Sequence, residues 1–380
     1  MTKETRAVHT LYDRSVTTYQ FKHATAHHLY IRTYSHPMHL LSCFRTNSIF
    51  IIKFVFFLHD ESKRSMMTKL SSSGGNNVDD GYDYEEEYIK NARGMKLFTC
   101  RWLPANARPI KALVFMCHGY AVECSVTMRG TGVRLAQAGY AVYGMDYEGH
   151  GKSDGLRGYV PSFDVLLGDC DAYFTAAVAA NQSPQLPRFL LGESMGGAVA
   201  LLLHRARPSY WAGAVLVAPM CKITEEMKPH PAVIKVLEAV TRFIPTWKVV
   251  PTRNVIGAAY RTQAKRDEIR RNPYCYKGRP RLKTAHELLR ASLRVESEVL
   301  TQVTLPFLVV HGGGDRVTDP SVSQLLCREA PSTDKTLKLY PGMWHALTSG
   351  ELPENIDKVF FDIIAWLDHR SGPPAPERDD

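Results

Sequence analysis

Short apolar runs recur along the chain between residues 95 and 340, and stretches with helical spacing of apolar positions separate them. Runs of about four to eight apolar residues bounded by turn signals are typical of buried strands. The predicted strands cover 95–103, 111–117, 140–145, 188–191, 212–218, 305–310 and 336–340. The predicted helices between them cover 131–138, 163–180, 198–205 and 322–328. Because alternating strands and helices form mostly parallel sheets covered on both faces, the pattern predicts an α/β fold.

The alternation stops over residues 222–301. Residues 231–244 carry apolar side chains at the spacing of an amphipathic helix, residues 283–299 predict a second helix, and loops rich in Arg and Pro lie between them. An insertion of this length between two strands predicts a helical cap, or lid, over the functional site. The alternative is an additional helical layer with no gating role.

These patterns divide the chain into a core, an insertion and terminal segments. The expected parts are a poorly structured N-terminal extension, an acidic leader, the first part of the core, the cap, the second part of the core and a disordered tail. They cover 1–66, 67–94, 95–221, 222–301, 302–370 and 371–380 in that order.

The first 66 residues differ in composition from the rest of the chain. Their apolar run, 49–58, is about half the length of a membrane-spanning helix and is interrupted by Lys53. The basic pair Lys63-Arg64 follows it, where a secretory signal would have small residues. An organellar transit peptide is one interpretation. The interpretation favoured here places the natural start at Met66 or Met67, and residues 1–66 are then expected to be dispensable.

Charge and cysteine content exclude several classes of function. The net charge is +9, but the chain has no basic stripe with interleaved aromatic residues, so nucleic acid is not an expected partner. No two cysteines form a C-x-x-C pair, which predicts free thiols in a reducing compartment rather than a disulfide framework or a zinc site. The eight cysteines lie at positions 43, 100, 117, 124, 170, 221, 275 and 327.

The candidate chemistry centres on the sequence Gly192-Glu193-Ser194-Met195-Gly196-Gly197, which lies between a predicted strand and a predicted helix. This is the G-x-S-x-G pattern of a nucleophile elbow, in which a serine hydroxyl projects from a strained turn. Glycines at 192 and 196 remove side chains that would collide there. The alternative is a glycine-rich turn with an incidental serine.

Two further candidate residues each follow a later predicted strand. Asp315 follows the strand 305–310, and His345 follows the strand that ends at Tyr340. The order Ser194, Asp315, His345 is the order of a serine hydrolase triad on this type of fold. Asp319 is a rival acid, but its position before a proline suits the N-cap of a helix better.

The turn His118-Gly119-Tyr120 directly follows the apolar strand 111–117. In such hydrolases a turn at this place supplies one backbone N–H of the oxyanion hole. We assign that donor to Tyr120 and the second donor to Met195, while the His118 side chain is expected to be structural. The loop 146–155 is rich in carboxylates and contains a histidine, but its spacing is not that of a metal cage. It is expected to shape the pocket wall.

These motifs resemble the plant monoacylglycerol lipase and caffeoylshikimate esterase-like group of the α/β-hydrolase superfamily, which also contains lysophospholipase-like members. The resemblance covers roughly residues 85–370, and not the first 66. It implies the α/β-hydrolase fold with a cap and a serine hydrolase that cleaves lipid esters, most directly monoacylglycerols. Hydroxycinnamoyl esters and lysophospholipids are the alternative substrates, and no metal or cofactor is implied. The run 121–126 departs from the expected pattern, which bears on substrate preference.

The cap supplies the candidate substrate-binding residues. Its first helix presents Val233, Val236, Leu237 and Val240, which could line a tunnel for an acyl chain. The expected partners are a small ester or lipid substrate and, through the cap, a membrane surface; the expected location is cytoplasmic. A different class of function remains open, a ligand-binding receptor that kept the pocket and lost turnover, and a chromogenic ester assay distinguishes the two.

Overall fold

The computed structural model describes residues 81–106, 108–181, 185–222, 230–250 and 254–372. All of them belong to the compact unit Met67–Asp380. The predicted extension 1–66, the acidic leader before residue 81 and the tail from residue 373 lie outside the described residues.

Within these ranges, eight strands form one sheet. They are β1 (Tyr82–Lys90), β2 (Lys96–Pro104), β3 (Ala112–Cys117), β4 (Tyr140–Met145), β5 (Arg188–Glu193), β6 (Gly213–Val217), β7 (Phe307–Gly312) and β8 (Lys335–Tyr340). Their order in the sheet is β1-β2-β4-β3-β5-β6-β7-β8. The pairs β1–β2 and β2–β4 are antiparallel and the other pairs are parallel. The predicted mostly parallel sheet is confirmed.

The helices in the described ranges alternate with the strands on either side of the cap. They are α1 (Arg129–Gln137), α2 (Phe163–Ala179), α3 (Met195–Ala206), α4 (Pro231–Thr241), α5 (Val255–Ala259), α6 (Gln263–Arg271), α7 (Leu282–Arg294), α8 (Pro320–Glu329) and α9 (Pro353–Ser371). Helix α7 continues through a π turn, Val295–Val299, and a 3₁₀ turn, Leu300–Gln302. None of these helices is both long enough and apolar enough to cross a membrane.

Helices cover both faces of the sheet. Side chains of α1 and α9 join one apolar cluster, and side chains of α2, α3 and α8 join the cluster on the other face. Every residue of β3, β4, β6 and β7 is buried. Strands covered on both faces need continuous apolar sequence, which is why these strands could be identified as uninterrupted apolar runs.

The edge strand β1 lies within the segment 67–94 that the sequence analysis assigns to an acidic leader. Its pairing with β2 extends from Tyr82 to Lys90, so the core sheet begins before the boundary expected at residue 95. The strand carries Asp and Glu residues on exposed positions, while the Tyr84 ring lies 5.1 Å from the Trp102 ring. Charged side chains are common on edge strands, where they oppose pairing with other chains.

The segment between β6 and β7 contains α4, α5, α6 and α7 and, in its described part, no strand. The two long helices correspond to those predicted over 231–244 and 283–299. The sequence analysis expected loops where the short helices α5 and α6 lie. Helix α6 buries only Ile269, so its sequence has few apolar positions that would indicate a helix. The gating role of this cap stays a prediction.

The topology places the candidate residues together. Strands β3, β5, β7 and β8 run parallel, so their carboxyl ends lie at one edge of the sheet. The turns that follow these strands carry Tyr120, Ser194, Asp315 and His345. In open α/β sheets this edge is where ligands bind.

Candidate active site

Ser194 occupies the turn between β5 and α3 with φ 54° and ψ −116°. A non-glycine residue at positive φ is strained, and such strain is characteristic of functional sites. The turn is also too tight for side chains at its glycines. A Cβ at Gly196 would lie 1.8 Å from the backbone oxygen of Cys117, and one at Gly192 would lie 2.3 Å from that of Gly196. The predicted elbow geometry is therefore present at Ser194.

Asp315 is the acid that the fold brings to His345. The imidazole Nδ1 of His345 lies 2.7 Å from Oδ2 of Asp315, whose side chain is fully buried. Thr318 Oγ1 donates to the same oxygen over 2.9 Å, and the backbone N–H of Val317 donates to Oδ1 over 2.7 Å. Burial alone would raise the pKa of Asp315, but hydrogen bonds from His311 and His345 outweigh it and hold the pKa well below its usual range. The carboxyl group therefore stays ionised at neutral pH.

His311 is a second histidine on the same carboxylate, and the sequence analysis did not identify it as a site residue. Its Nε2 lies 3.1 Å from Asp315 Oδ2, and its Nδ1 lies 2.7 Å from the hydroxyl of Ser323. If the Ser323 hydroxyl donates to Nδ1, then Nε2 carries the proton and donates to Asp315. The available signal was the spacing His311-Gly-Gly-Gly-Asp315 at the end of β7, which places both side chains on one turn.

A hydrogen bond joins the loop that carries His345 to the elbow that carries Ser194. Thr348 Oγ1 donates to Oε1 of Glu193 over 2.8 Å, and Glu193 directly precedes Ser194. Burial raises the pKa of Glu193, and this hydrogen bond and the nearby His345 partly offset the increase. Because Asp315 engages Nδ1 of His345, the other ring nitrogen, Nε2, is the one that can take up a proton.

The residues 119–123, here called the oxyanion loop, pass beside the elbow. A Cβ added at Gly119 would lie 3.4 Å from the Cβ of Ser194. Met195 is the first residue of α3, where a backbone N–H has no partner within the helix. The phenol of Tyr120 donates to the backbone oxygen of Gly158 over 3.0 Å, which ties the loop to the segment after β4. The assignment of the Tyr120 and Met195 N–H groups as oxyanion donors stays a prediction.

The oxyanion loop contains a strained residue, Ala121, with φ 69°. The left-handed conformation costs an L-residue about 1–2 kcal/mol, whereas glycine adopts it freely but loses more entropy on folding. We therefore expect Ala121→Gly to raise the free energy of unfolding by about 0.5–1 kcal/mol. Asn106, at φ 60°, is the matched control, because asparagine tolerates this conformation and Asn106→Gly should gain less. Urea denaturation of the wild type and both variants measures these free energies of unfolding. An Ala121→Gly protein less stable than the wild type would contradict the strain argument.

Two other polar residues near the site, His118 and Asp146, are held by contacts within the protein; the structural roles expected for His118 and for the loop 146–155 stay predictions. The His118 ring is fully buried, stacks on Tyr147 at 3.8 Å, and accepts the Tyr147 N–H at Nε2 over 3.1 Å. Asp146 accepts the N–H groups of Cys124 and Lys152 over 2.8 and 2.9 Å. Burial and the nearby charge of Glu123 raise the pKa of Asp146 to about 7.

Asp319, the rival acid, accepts the N–H of Ser321 over 2.8 Å and is the N-cap of α8. The structure therefore assigns it the capping role that its sequence position indicates. No group of three or more His, Cys, Asp or Glu residues in the described ranges is arranged to hold a metal ion.

The four predicted substrate-binding residues on α4 do not share one environment. Val233, Leu237 and Val240 are partly buried, but Val236 is 56% exposed. On a helical projection, Val233, Leu237 and Val240 form one stripe, here called the inner stripe. Val236 lies on an adjacent stripe with Phe243, which is 85% exposed, and this is called the exposed stripe. Val236 therefore does not line an enclosed tunnel in this structure. The other three residues remain candidates.

A cleft of about 480 Å³ lies between α2, the carboxyl end of α3 and the end of α7, lined in part by Leu167, Leu202 and Arg205. Ser194 lies at the opposite end of α3, a helix of 12 residues. At 1.5 Å of rise per residue, the lining residues 202–206 lie about 12–18 Å along the helix from Ser194. The cleft is therefore separate from the candidate active site.

Comparison with known proteins shows the family of this chain. The family model described as serine aminopeptidase, S33, matches residues 108–352. The chain is 37% identical over 291 residues to a caffeoylshikimate esterase of Arabidopsis thaliana, covering 76% of this chain and 87% of that protein. It is 34% identical over 286 residues to the monoglyceride lipase of Homo sapiens, covering 75% and 90%.

Solved structures share the fold at lower identity. A soluble variant of the Saccharomyces cerevisiae monoglyceride lipase, in complex with a substrate analogue, matches with a TM-score of 0.65 at 21% identity, covering 75% of this chain and 94% of that one. The monoacylglycerol lipase of Paleococcus ferrophilus matches with a TM-score of 0.61, also at 21% identity, covering 73% and 100%. The predicted α/β-hydrolase fold is confirmed.

Proposed function

The chain belongs to the serine aminopeptidase S33 family, and from its esterase and lipase relatives we propose that it cleaves carboxylic esters of lipids, most directly monoacylglycerols, through an acyl-enzyme on Ser194. The observation that carries the mechanism is the 2.7 Å contact between His345 Nδ1 and the buried, ionised Asp315. It occurs in a chain whose Ser194 has the strained backbone of a nucleophile elbow. The predicted resemblance to monoacylglycerol lipases and caffeoylshikimate esterases is confirmed, because one relative is named a caffeoylshikimate esterase and another a monoglyceride lipase.

The proposed reaction is a two-step acyl transfer. His345 Nε2 takes the proton of Ser194 Oγ as that oxygen attacks the ester carbonyl. Asp315 holds the imidazole in the required tautomer and stabilises its charged form. The N–H groups of Tyr120 and Met195 bind the oxyanion of the tetrahedral intermediate. His345 then gives its proton to the leaving alcohol, and a water activated by the same nitrogen releases the acid.

Two substrate classes follow from the relatives. Monoacylglycerols are favoured because the inner stripe of α4, Val233, Leu237 and Val240, offers apolar side chains for an acyl chain. Hydroxycinnamoyl esters are the second candidate, since the 37% identity is to a caffeoylshikimate esterase. Lysophospholipids are a third candidate, which the sequence resemblance suggests rather than these relatives. A compact hydroxycinnamoyl ester would gain less from the apolar stripe of α4.

The described part of the cap carries exposed apolar and exposed basic side chains close together in the sequence. Its exposed apolar side chains are Val236, Phe243, Trp247 and Val255. Exposed basic residues lie among them, namely Lys235, Arg242 and Lys248. Apolar side chains interleaved with Lys and Arg are typical of surfaces that lie on anionic bilayers. We place the protein in the cytoplasm with peripheral membrane contact, and its seven described cysteines are free thiols, which fits a reducing compartment.

Chain length tests the lipid assignment. Each CH₂ group buried along α4 contributes about 0.8 kcal/mol, so kcat/KM for monoacylglycerols should rise with acyl length until the site is filled. Val240→Trp on the inner stripe should lower turnover of long chains and spare short ones. Val236→Trp is the matched control on the exposed stripe; with every substrate supplied in detergent micelles rather than on a bilayer, it should leave the dependence of turnover on chain length unchanged.

The measurement is a substrate series of monoacylglycerols, with a hydroxycinnamoyl ester and a lysophospholipid beside it, on the wild type and both variants. Loss of short-chain and long-chain turnover together with a lower Tm in Val240→Trp would mean that this stripe is core packing. The argument for a lipid substrate would then lose its main support.

A further inference from the structure

A small apolar cluster of the cap joins the three loops that carry the candidate catalytic groups. The cluster consists of Ala259, Tyr260, Ile269 and Cys275. One apolar side chain from each loop packs against it, namely Val122, Val317 and Ala346. These three side chains lie within two residues of Tyr120, Asp315 and His345 in the sequence. The part of the cap that forms this cluster therefore packs against the three loops that carry the candidate catalytic groups, whereas Val236 and Phe243 are exposed.

The polar part of this contact is a buried carboxylate in the oxyanion loop. Glu123 is fully buried and lies three residues after Tyr120. Its oxygens accept short hydrogen bonds from the backbone N–H of Val126 (2.7 Å), from the hydroxyl of Thr127 (2.7 Å) and from the side-chain amide of Asn272 (2.9 Å). Longer hydrogen bonds come from the Thr127 N–H (3.1 Å) and the Ser125 hydroxyl (3.3 Å). Of these donors, Asn272 is the one that belongs to the cap.

The orientation of the Asn272 amide is fixed by a second hydrogen bond. Its Oδ1 accepts the N–H of Tyr274 over 2.9 Å, so its Nδ2 faces Glu123. Nearby, the N–H of Tyr276 donates to the backbone oxygen of Ala121 over 2.8 Å. The cap segment 272–276 thus holds the oxyanion loop at two points, on either side of Val122.

We propose that Asn272 is a positioning residue for the oxyanion hole, acting through Glu123. The inference rests on the proposed acyl-transfer function. A buried carboxylate requires all of its donors, because an unsatisfied buried charge is costly. When Asn272 cannot donate, Glu123 shifts and carries the Tyr120 N–H away from the oxyanion. Misplacement of a catalytic group by about 1 Å can cost about a hundredfold in rate.

Exchanging the amide and the carboxylate between positions 272 and 123 provides the test. In Asn272→Asp, Oδ1 still accepts the Tyr274 N–H, but the second oxygen faces the carboxylate of Glu123. Adding Glu123→Gln restores a donor–acceptor pair with the direction reversed, because the Gln NH2 takes the place of Oε1 and donates to Asp at 272. The Gln oxygen still accepts from the Val126 N–H and from the Thr127 N–H, which lies 3.3 Å from that position, and the Thr127 hydroxyl turns to accept from the NH2. Asn272→Ala, which removes the donor without adding charge, is the milder variant.

Glu287 supplies the matched control for a buried contact between cap and core. It is 1% exposed on α7, accepts the N–H of Phe163 and of the Lys283 ammonium over 2.9 and 2.8 Å, and makes no hydrogen bond to the three catalytic loops among the described residues. Glu287→Gln should lower Tm but keep kcat within about twofold of the wild type, because surface and packing changes away from the catalytic groups leave the transition state unaffected.

The measurement is kcat per active site titrated with a fluorophosphonate, together with KM and the Ki of a trifluoromethyl ketone, on a short-chain ester. We expect Asn272→Asp to lose about a hundredfold in kcat and Asn272→Ala about tenfold, with KM within about twofold and a parallel rise in Ki. The double variant should recover kcat to within about fivefold of the wild type.

A kcat per titrated site in Asn272→Asp and Asn272→Ala within about threefold of the wild type would overturn the inference, even if Tm falls. So would a double variant that regains Tm but not kcat. A wild type that neither hydrolyses esters nor reacts with the fluorophosphonate would instead overturn the proposed function on which the inference rests.

Discussion

Ser194→Ala is expected to abolish ester hydrolysis while leaving the fold intact. The hydroxyl is the predicted nucleophile, and alanine keeps the Cβ that this strained turn already accommodates at φ 54°. Removing the nucleophile of a serine triad lowers kcat by about 10⁶, because the remaining members cannot act alone. The measurement is turnover of a short-chain chromogenic ester, with Tm recorded for each protein.

Ser292→Ala is the control for that experiment. Ser292 is fully buried and its hydroxyl has no hydrogen-bond partner among the described residues, so its removal should change neither turnover nor fold. If the Ser194→Ala protein retained more than about a hundredth of wild-type kcat, another residue would have to be the nucleophile.

Asp315→Asn is expected to lower kcat by about 10⁴. The carboxylate oxygen Oδ2 accepts from His345 and from Thr318, and an amide at that place turns an N–H toward one of them. His345 then adopts the wrong tautomer, with its proton on the nitrogen that must accept the serine proton. The side chains are nearly the same size, so the protein should still fold, but the lost charge-assisted hydrogen bonds should lower Tm as well, and kcat is therefore measured well below the Tm of the variant.

The rival acid provides the comparison. Asp319→Asn leaves a good N-cap residue on α8, so we expect wild-type turnover and nearly unchanged stability. Steady-state kinetics of both variants on one ester separates the two carboxylates. An Asp319→Asn protein with a larger loss in kcat than Asp315→Asn would reverse the assignment of the triad acid.

The core strands were predictable because burial on both faces imposes an apolar sequence. The strand predicted over 140–145 is β4, Tyr140–Met145, and all six of its residues are buried. Strand β1 was not predicted, because an edge strand has few apolar positions to reveal it. Helices α5 and α6 were missed because short or highly charged helices owe their structure to tertiary contacts rather than to their own periodicity.

The candidate triad Ser194, Asp315 and His345 could be predicted from the sequence because each residue follows a predicted strand. The supporting contacts were not readable. Asn272 and Glu123 are 149 positions apart, and Thr348 and Glu193 are 155 apart, so no local pattern joins them. On α4, the apolar spacing predicted an amphipathic helix, but spacing alone could not tell which of two adjacent stripes faces the protein.

The central claim, that an acyl group is transferred to Ser194, is tested most directly by mass spectrometry of the labelled protein. Wild-type protein is treated with a fluorophosphonate that mimics the tetrahedral intermediate, and its intact mass and peptide masses are compared with those of Ser194→Ala. The account predicts one adduct per chain on the peptide containing Ser194 and none on the variant. An adduct on another residue, or equal labelling of Ser194→Ala, would contradict it.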